Sequence, residues 1–118
     1  MGVVCSNLVA KTAEENITVY KLLTIDNRSL FFHKLYSPGE NTNEDEEDMR
    51  YDEKAKYYFQ GKGWLNSYAT EEAAIKFRDN VLPKSLGTKI VEMVIPKGET
   101  YYEDYFGTIA SKKLIWNQ

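Results

Sequence analysis

Glu92 is the residue whose setting in this sequence most suggests a chemical role. It interrupts the run Ile90–Ile95, in which all the remaining residues are apolar. A carboxyl group buried among such side chains has a raised pKa and can act as a general acid or base. Because a strand also has a solvated face, where acids are usually found, we interpret Glu92 as a partly solvated position at the edge of a sheet.

His33 and Cys5 are each the only residue of their type in the chain. One His without a Cys partner cannot form a zinc site, so we expect no metal centre. His33 alternates with Phe32 along an apolar segment, which favours a structural role. A lone Cys forms no internal disulfide and is typical of a reducing compartment. Gly61-Lys62-Gly63 lacks the spacing of a phosphate-binding loop, so we predict no cofactor.

Aromatic side chains are the second candidate for function, because Tyr has an apolar body and a polar tip that suit contact surfaces. The chain contains nine Tyr, five Phe and two Trp. Candidate binding residues are Trp64, Tyr68, Tyr101, Tyr102 and Tyr105. Lysines near the last three could hold phosphates while the rings stack on bases. A pI of about 5.2 and the lack of a nucleic-acid motif count against that interpretation.

Charge is distributed unevenly along the chain. Residues 40–53 contain eight acids and one Arg, a net charge of −7 that leaves +4 for the rest of a chain totalling −3. Such a block is typical of a solvated segment, so we predict a mobile acidic loop at about 38–53. With 118 residues, the chain has the size of a single domain, which we assign to 1–118.

The sequence pattern predicts more strands than helices. Predicted strands are 17–25, 30–36, 54–60, 64–68, 88–95 and 109–116, the first two forming a hairpin, with 101–106 as a connection or edge piece. Thr70 is a good N-cap for a helix that carries Ala74, Phe77 and Val81 on one face and stops at Pro83. The fold class is therefore α+β: a mostly antiparallel sheet of about five to six strands with one main helix packed on one face.

The sequence favours a cytoplasmic location. Residues 1–10 have no basic start and only a short apolar run, so we expect no signal peptide. No apolar stretch approaches the roughly 20 residues that span a bilayer, so we expect no membrane span.

Three ordered segments resemble small uncharacterised proteins of gut Bacteroidetes and their phages. They are ITVYK at 17–21, GWLNSY at 63–68 followed by Thr70, and IPKG at 95–98 with Tyr101-Tyr102 and Ile109-Ala110-Ser111. The resemblance implies a microbial cytoplasmic or phage context. It implies no activity, because that group has none established.

A more distant similarity is to ADP-ribosyltransferase-like folds. In those folds an early strand contacts a nicotinamide dinucleotide, a middle strand carries a serine motif, and a late strand carries a catalytic Glu. Lys21, Ser67 and Glu92 occur in that order here. The similarity implies these three as catalytic candidates, although Lys21 stands where Arg or His is expected and Asn66-Ser67-Tyr68 replaces Ser-Thr-Ser.

The leading functional prediction is a non-enzymatic interaction module that binds a protein or a small ligand through its Tyr-rich surface, in the role of a phage or host-defence accessory factor. The alternatives are an ADP-ribosyltransferase-like enzyme or nicotinamide-dinucleotide-binding domain, and a nucleic-acid-associated protein. The sequence predicts no particular partner and no oligomeric state.

Overall fold

Eight strands and one helix make up the described part of the chain. The computed structural model describes residues 10–30, 34–42, 65–84, 86–103 and 107–117. The elements are β1 (Lys11–Thr12), β2 (Ile17–Thr24), β3 (Gly39–Thr42), β4 (Leu65–Tyr68), α1 (Glu71–Val81), β5 (Thr88–Ile95), β6 (Thr100–Glu103), β7 (Thr108–Ser111) and β8 (Lys113–Trp116).

The strands form one sheet in the order β1-β6-β7-β4-β2-β5-β8-β3, with every neighbouring pair antiparallel. Its centre is the β2–β5 pair, which is in register from Ile17–Ile95 to Thr24–Thr88. The α+β class with a mostly antiparallel sheet is confirmed. The predicted count of five to six strands is wrong, because the structure has eight.

Part of the difference in strand number arises because the predicted strand 109–116 forms two strands, β7 and β8. Lys112 is a bend, and the Ser111 hydroxyl donates to the Lys113 carbonyl at 3.3 Å across it. β7 pairs with β4 and β6, whereas β8 pairs with β5 and β3. The bend therefore sends consecutive strands to opposite sides of the central pair.

The predicted acidic loop begins with a strand instead. β3 pairs with β8, and the buried Asn41 side chain holds it there. Asn41 Nδ2 donates to the carbonyls of Ser37 at 2.9 Å and Leu114 at 3.4 Å, while Oδ1 accepts from the Ser37 amide at 3.0 Å. Residues 39–42 therefore form a strand and not a solvated loop, because the Asn41 hydrogen bonds tie this polar segment to the rest of the fold. Residues 43–53 of the predicted loop lie outside the described residues, as does the predicted strand 54–60.

The predicted hairpin between 17–25 and 30–36 is also corrected. β2 is confirmed, but its partners in the sheet are β4 and β5. The return segment contributes only isolated bridges, Leu23 with Ser29 and Arg28 with Leu35. Asn27 adopts a left-handed φ of 68° and closes a turn that the Thr24 hydroxyl supports by accepting from the Arg28 amide at 3.0 Å. Residues 31–33, including His33, lie outside the described residues.

Helix α1 begins as the sequence predicts. The Thr70 hydroxyl accepts a hydrogen bond from the Ala73 amide at 3.1 Å, and Glu71 and Glu72 occupy the first turn, where the helix dipole favours acids. Ala74 is fully buried, and the Phe77 ring lies 5.8 Å from the Tyr68 ring of β4. The helix therefore covers the sheet face that carries Tyr20 and Tyr68. No helix within the described residues is both long enough and apolar enough to cross a membrane.

The larger core lies on the opposite face of the sheet. Alternation along β2 places Val19, Lys21 and Leu23 on this face. A continuous cluster of buried side chains covers it: Ala13, Val19, Leu23, Tyr36, Leu65, Met93, Ile95, Ile109, Leu114 and Trp116. Lys21 is the only charged side chain among the buried residues that the structure describes, and that exception defines the candidate site.

Candidate functional site: a buried lysine beside Tyr36

Lys21 is buried because of its position in β2. It alternates in step with Val19 and Leu23, both fully buried, and its own exposure is 8%. Burial of a lysine is rare without compensation, because the ammonium group loses its hydration. Strand pairing on both sides fixes the backbone here, so the side chain cannot move to the other face.

Two groups contact the Lys21 ammonium. Its Nζ donates to the backbone carbonyl of Asn66 at 2.6 Å and lies 5.2 Å from the centroid of the Tyr36 ring. A second lysine approaches the same ring, since Lys34 Nζ is 5.4 Å from the centroid. Tyr36 is 2% exposed and belongs to the core cluster, whereas Lys34 is half-buried. The site therefore consists of two cations that converge on one buried aromatic ring.

Neither lysine has a carboxylate partner among the described residues. Burial, and then the positive charge of Lys34, lowers the pKa of Lys21 from 10.5 to about 7. That fall corresponds to about 5 kcal/mol against the charged form. A cation–π contact contributes only about 0.5–2 kcal/mol. Tyr36 and the Asn66 carbonyl therefore do not offset the desolvation of Lys21, and a buried cation remains under-compensated.

Ser67 is the second unusual polar group on this face. Tyr20 of β2 pairs with Tyr68 of β4, so the next residues along each strand, Lys21 and Ser67, both point to the opposite face. Ser67 is fully buried, and its hydroxyl has no hydrogen-bond partner within the described ranges. Buried hydroxyls are almost always satisfied, so this orphan donor beside Lys21 calls for an explanation.

Glu92 is not part of this arrangement. It pairs with Tyr20 across β2 and β5, which places it on the helix-bearing face of the sheet, away from Lys21 and Ser67. Its side chain is exposed, as predicted, but the predicted edge position is wrong, because β5 lies between β2 and β8. Two of the three catalytic candidates thus share a face, and the third lies on the other.

The three aromatic candidates among the described residues do not all lie on one face of the sheet. Tyr68 packs against Phe77 and helps to hold the helix on the sheet. Tyr101 packs against the core cluster on β6, and Tyr102, the next residue, points to the opposite face. All three are half-buried. Trp64 and Tyr105 lie outside the described residues.

The described residues contain no group of three or more His, Cys, Asp or Glu side chains that could hold a metal ion.

Comparison of the chain with known protein families, with curated proteins and with solved structures gives no match. The resemblance to Bacteroidetes and phage proteins therefore stays a prediction.

Sequence reasoning identified Lys21 and Ser67 but missed Tyr36 and Lys34. The signal for burial was present, because Lys21 lies two residues from Val19 and from Leu23 in a strand of period two. No local pattern indicates that the segment after β2 returns to place Tyr36 over Lys21. That contact depends on the backbone hydrogen bonds from Ser29 to Lys34 and from Tyr36 to Asn27.

Proposed function

We propose that this chain is a non-enzymatic interaction module, and that its ligand presents an anionic group which Lys21 and Lys34 bind beside Tyr36. The observation that carries the proposal is the convergence on one ring, at 5.2 and 5.4 Å, of two lysines that have no carboxylate partner within the described residues. The ligand is a small carboxylate or phosphate compound, or a protein side chain of the same chemistry.

The energetics favour an anion over any other ligand group. An anion beside Lys21 stabilises the charged form that burial disfavours, so binding energy is gained by relieving a cost already present in the free protein. Charge-assisted hydrogen bonds to a carboxylate or phosphate are about twice as strong as neutral ones. An uncharged ligand would leave both lysines as they are.

Ser67 and Lys34 give the proposed site its donors and its direction of approach. The Ser67 hydroxyl is a donor without an acceptor in the described structure, and an anionic oxygen supplies one. Lys34 is only half-buried, so the anion enters from its side of the ring.

Calorimetric titration with inorganic phosphate and with acetate tests the proposal. Lys34→Gln should weaken binding of the better anion about fivefold or more, because it removes one of two charges. Lys76→Gln is the matched control, since Lys76 is exposed on α1. Equal affinity in both variants and in the wild type would show that any binding is non-specific.

Proton uptake gives a second readout that is specific to Lys21. At pH 8 the Lys21 amine is mostly neutral, because its pKa is about 7. An anion that contacts it draws in up to about 0.9 proton per site. Titrations in two buffers of different ionisation enthalpy measure this number. Binding with no proton uptake would place the anion away from Lys21.

The enzyme alternative has one observation in its favour, the shared face of Lys21 and Ser67. The position of Glu92 on the other face counts against it. Titration with the oxidised nicotinamide dinucleotide separates the two functions. Tight binding that Lys21→Ala removes, together with group transfer that Glu92→Gln abolishes, would favour the enzyme. A parallel titration with a single-stranded oligonucleotide addresses the nucleic-acid alternative.

A further inference from the structure

The Lys21 amine lies close to the buried hydroxyl of Ser67. Its Nζ is 2.6 Å from the Asn66 carbonyl oxygen, which belongs to the peptide unit that joins Asn66 to Ser67. The Tyr20–Tyr68 pairing also makes Lys21 and Ser67 cross-strand neighbours, a relation that brings two Cβ atoms to about 5 Å. The two groups form no hydrogen bond with each other, since the Ser67 hydroxyl has no partner among the described residues. A small oxygen-bearing group attached to Nζ would reach this hydroxyl.

A positive charge lies beside the same amine. Lys34 Nζ is 5.4 Å from the centroid of the Tyr36 ring, and Lys21 Nζ is 5.2 Å from it. The charge of Lys34 is close enough to act on the pKa of Lys21, and no carboxylate pairs with either lysine within the described ranges. An anionic group on the Lys21 nitrogen would therefore find a counter-ion in Lys34 and a hydrogen-bond donor in Ser67.

The Lys21 side chain is largely a neutral amine at neutral pH. Because burial and Lys34 lower its pKa to about 7, about 70% of it is unprotonated at pH 7.4, against about 0.1% of an ordinary lysine. Only the unprotonated amine has the lone pair that attacks an electrophilic carbon. The 8% exposure of Lys21 limits that electrophile to a small neutral molecule. Carbon dioxide meets this limit, and its adduct with an amine is an anion.

We infer that Lys21 is a carbon dioxide acceptor, and that the resulting carbamate is held by the Ser67 hydroxyl and the Lys34 ammonium. The amine nitrogen attacks the carbon of CO₂, a C–N bond forms, and one C=O π pair moves onto oxygen. The nitrogen then releases one proton to solvent, so the neutral amine and CO₂ give a carbamate anion and H⁺. The nitrogen keeps one hydrogen, which continues to donate to the Asn66 carbonyl.

The carbamate takes the position of the external anion in the proposed function. It uses the same three side chains, Lys21, Lys34 and Ser67, but it forms without any external anion. Where both reactions occur, carbon dioxide weakens binding of the external anion, because the carbamate already occupies Lys34 and Ser67. Dissolved carbon dioxide would then regulate the interaction module through one covalent and reversible modification.

Chemical trapping of the carbamate tests the inference. The protein is equilibrated with ¹³C-labelled bicarbonate and CO₂ at pH 7.4, carbamates are alkylated with triethyloxonium, and the esters are located by peptide mass spectrometry. Lys21 should carry at least about tenfold more label than Lys76, which is exposed on α1 and keeps an ordinary amine. The α-amino group of the chain also forms a carbamate, so its label is an internal standard.

Substitutions of the two groups that hold the carbamate give the specific readout. Ser67→Ala should lower the label on Lys21 roughly fivefold or more, because a hydrogen bond to a charged oxygen is lost. Lys34→Gln should lower it at least as much, since it removes the counter-ion and one cause of the lowered pKa of Lys21. Lys76→Gln is the control and should leave the label on Lys21 unchanged. Thermal melts establish that each variant is folded.

Two results would overturn the inference. One is label on Lys21 no higher than on Lys76, and the other is label on Lys21 that Ser67→Ala and Lys34→Gln both leave unchanged. The phosphate titration is performed in buffer free of carbon dioxide, so the two proposals fail separately. Phosphate binding that depends on Lys34, without label on Lys21, would support the module and exclude the carbamate. Label on Lys21 without phosphate binding would do the reverse.

Discussion

Replacing Lys21 by Met should remove a large part of the pH dependence of stability. In the folded protein the pKa of Lys21 is lowered to about 7 by burial and by Lys34, whereas in the unfolded chain it is near 10.5. Between these two values the unfolded state binds more protons than the folded state. The free energy of unfolding of the wild type therefore rises with pH through this window and levels off below about pH 7.

The size of the effect follows from the two pKa values. Each pH unit well inside the window raises the free energy of unfolding by about 1.4 kcal/mol. Because Lys21 is half protonated at pH 7, the rise is smaller there, and Lys21 adds about 2 kcal/mol in total between pH 7 and pH 9. Met has a similar volume and no charge, so Lys21→Met removes this dependence. It also leaves the Asn66 carbonyl without its donor, at a cost of about 1–3 kcal/mol. The desolvation cost that Lys21→Met removes is larger than the cost of the unpaired Asn66 carbonyl. The free energy of unfolding of the variant at pH 7 should therefore be no lower than that of the wild type.

Urea unfolding followed by circular dichroism at pH 7, 8 and 9 measures the difference. The comparison is between wild type, Lys21→Met and the exposed-lysine control Lys76→Met, which should keep the wild-type slope. Parallel pH profiles in wild type and Lys21→Met would refute the reasoning, because they would show that Lys21 stays charged in the folded state.

Other substitutions test separate parts of the structure by chemical denaturation. Trp116 is 6% exposed in the core cluster, so Trp116→Ala should cost about 3–5 kcal/mol, and a loss below 1 kcal/mol would mean that the ring is not packed. Thr70→Ala should cost about 1 kcal/mol, with Thr70→Ser close to neutral, because only the hydroxyl caps the helix. Ser67→Ala removes an unpaired hydroxyl and should be neutral or stabilising, whereas Ser111→Ala should destabilise by about 1 kcal/mol because the Ser111 hydroxyl donates to Lys113. Equal losses for the two serine variants would show that Ser67 has a partner.

Local patterns predicted the elements that local physics determines. The apolar run within 88–95 predicted β5 to the residue, and Thr70 with the acids after it predicted the start of α1. In each case the residues that decide the structure are neighbours in the chain.

The errors occur where distant residues decide. Gly39–Thr42 has little strand propensity, and its pairing with β8 is supported by Asn41, whose side chain donates to the Leu114 carbonyl, 73 residues away. Residues 108–116 form two strands because the first part pairs with β4 and the last part pairs with β5, on opposite sides of β2. The candidate site has the same character, since Lys21 was visible in β2 while Tyr36 and Lys34 reach it only through the folded turn. Sequence order alone grouped Glu92 with Lys21 and Ser67, and strand register separates them.

The connectivity of the sheet has a consequence for how the protein folds. In the described sheet, the outermost strands β1 and β3 come from the first half of the sequence, and each pairs with a strand from the last fifth, β6 or β8. Even β2 has no full-length partner until residues 88–95 exist. Pairings that close such long loops form slowly. During synthesis, strand 17–24 must therefore wait for residues 88–95 before its main pairing can form, and its apolar side chains are exposed to aggregation in that interval.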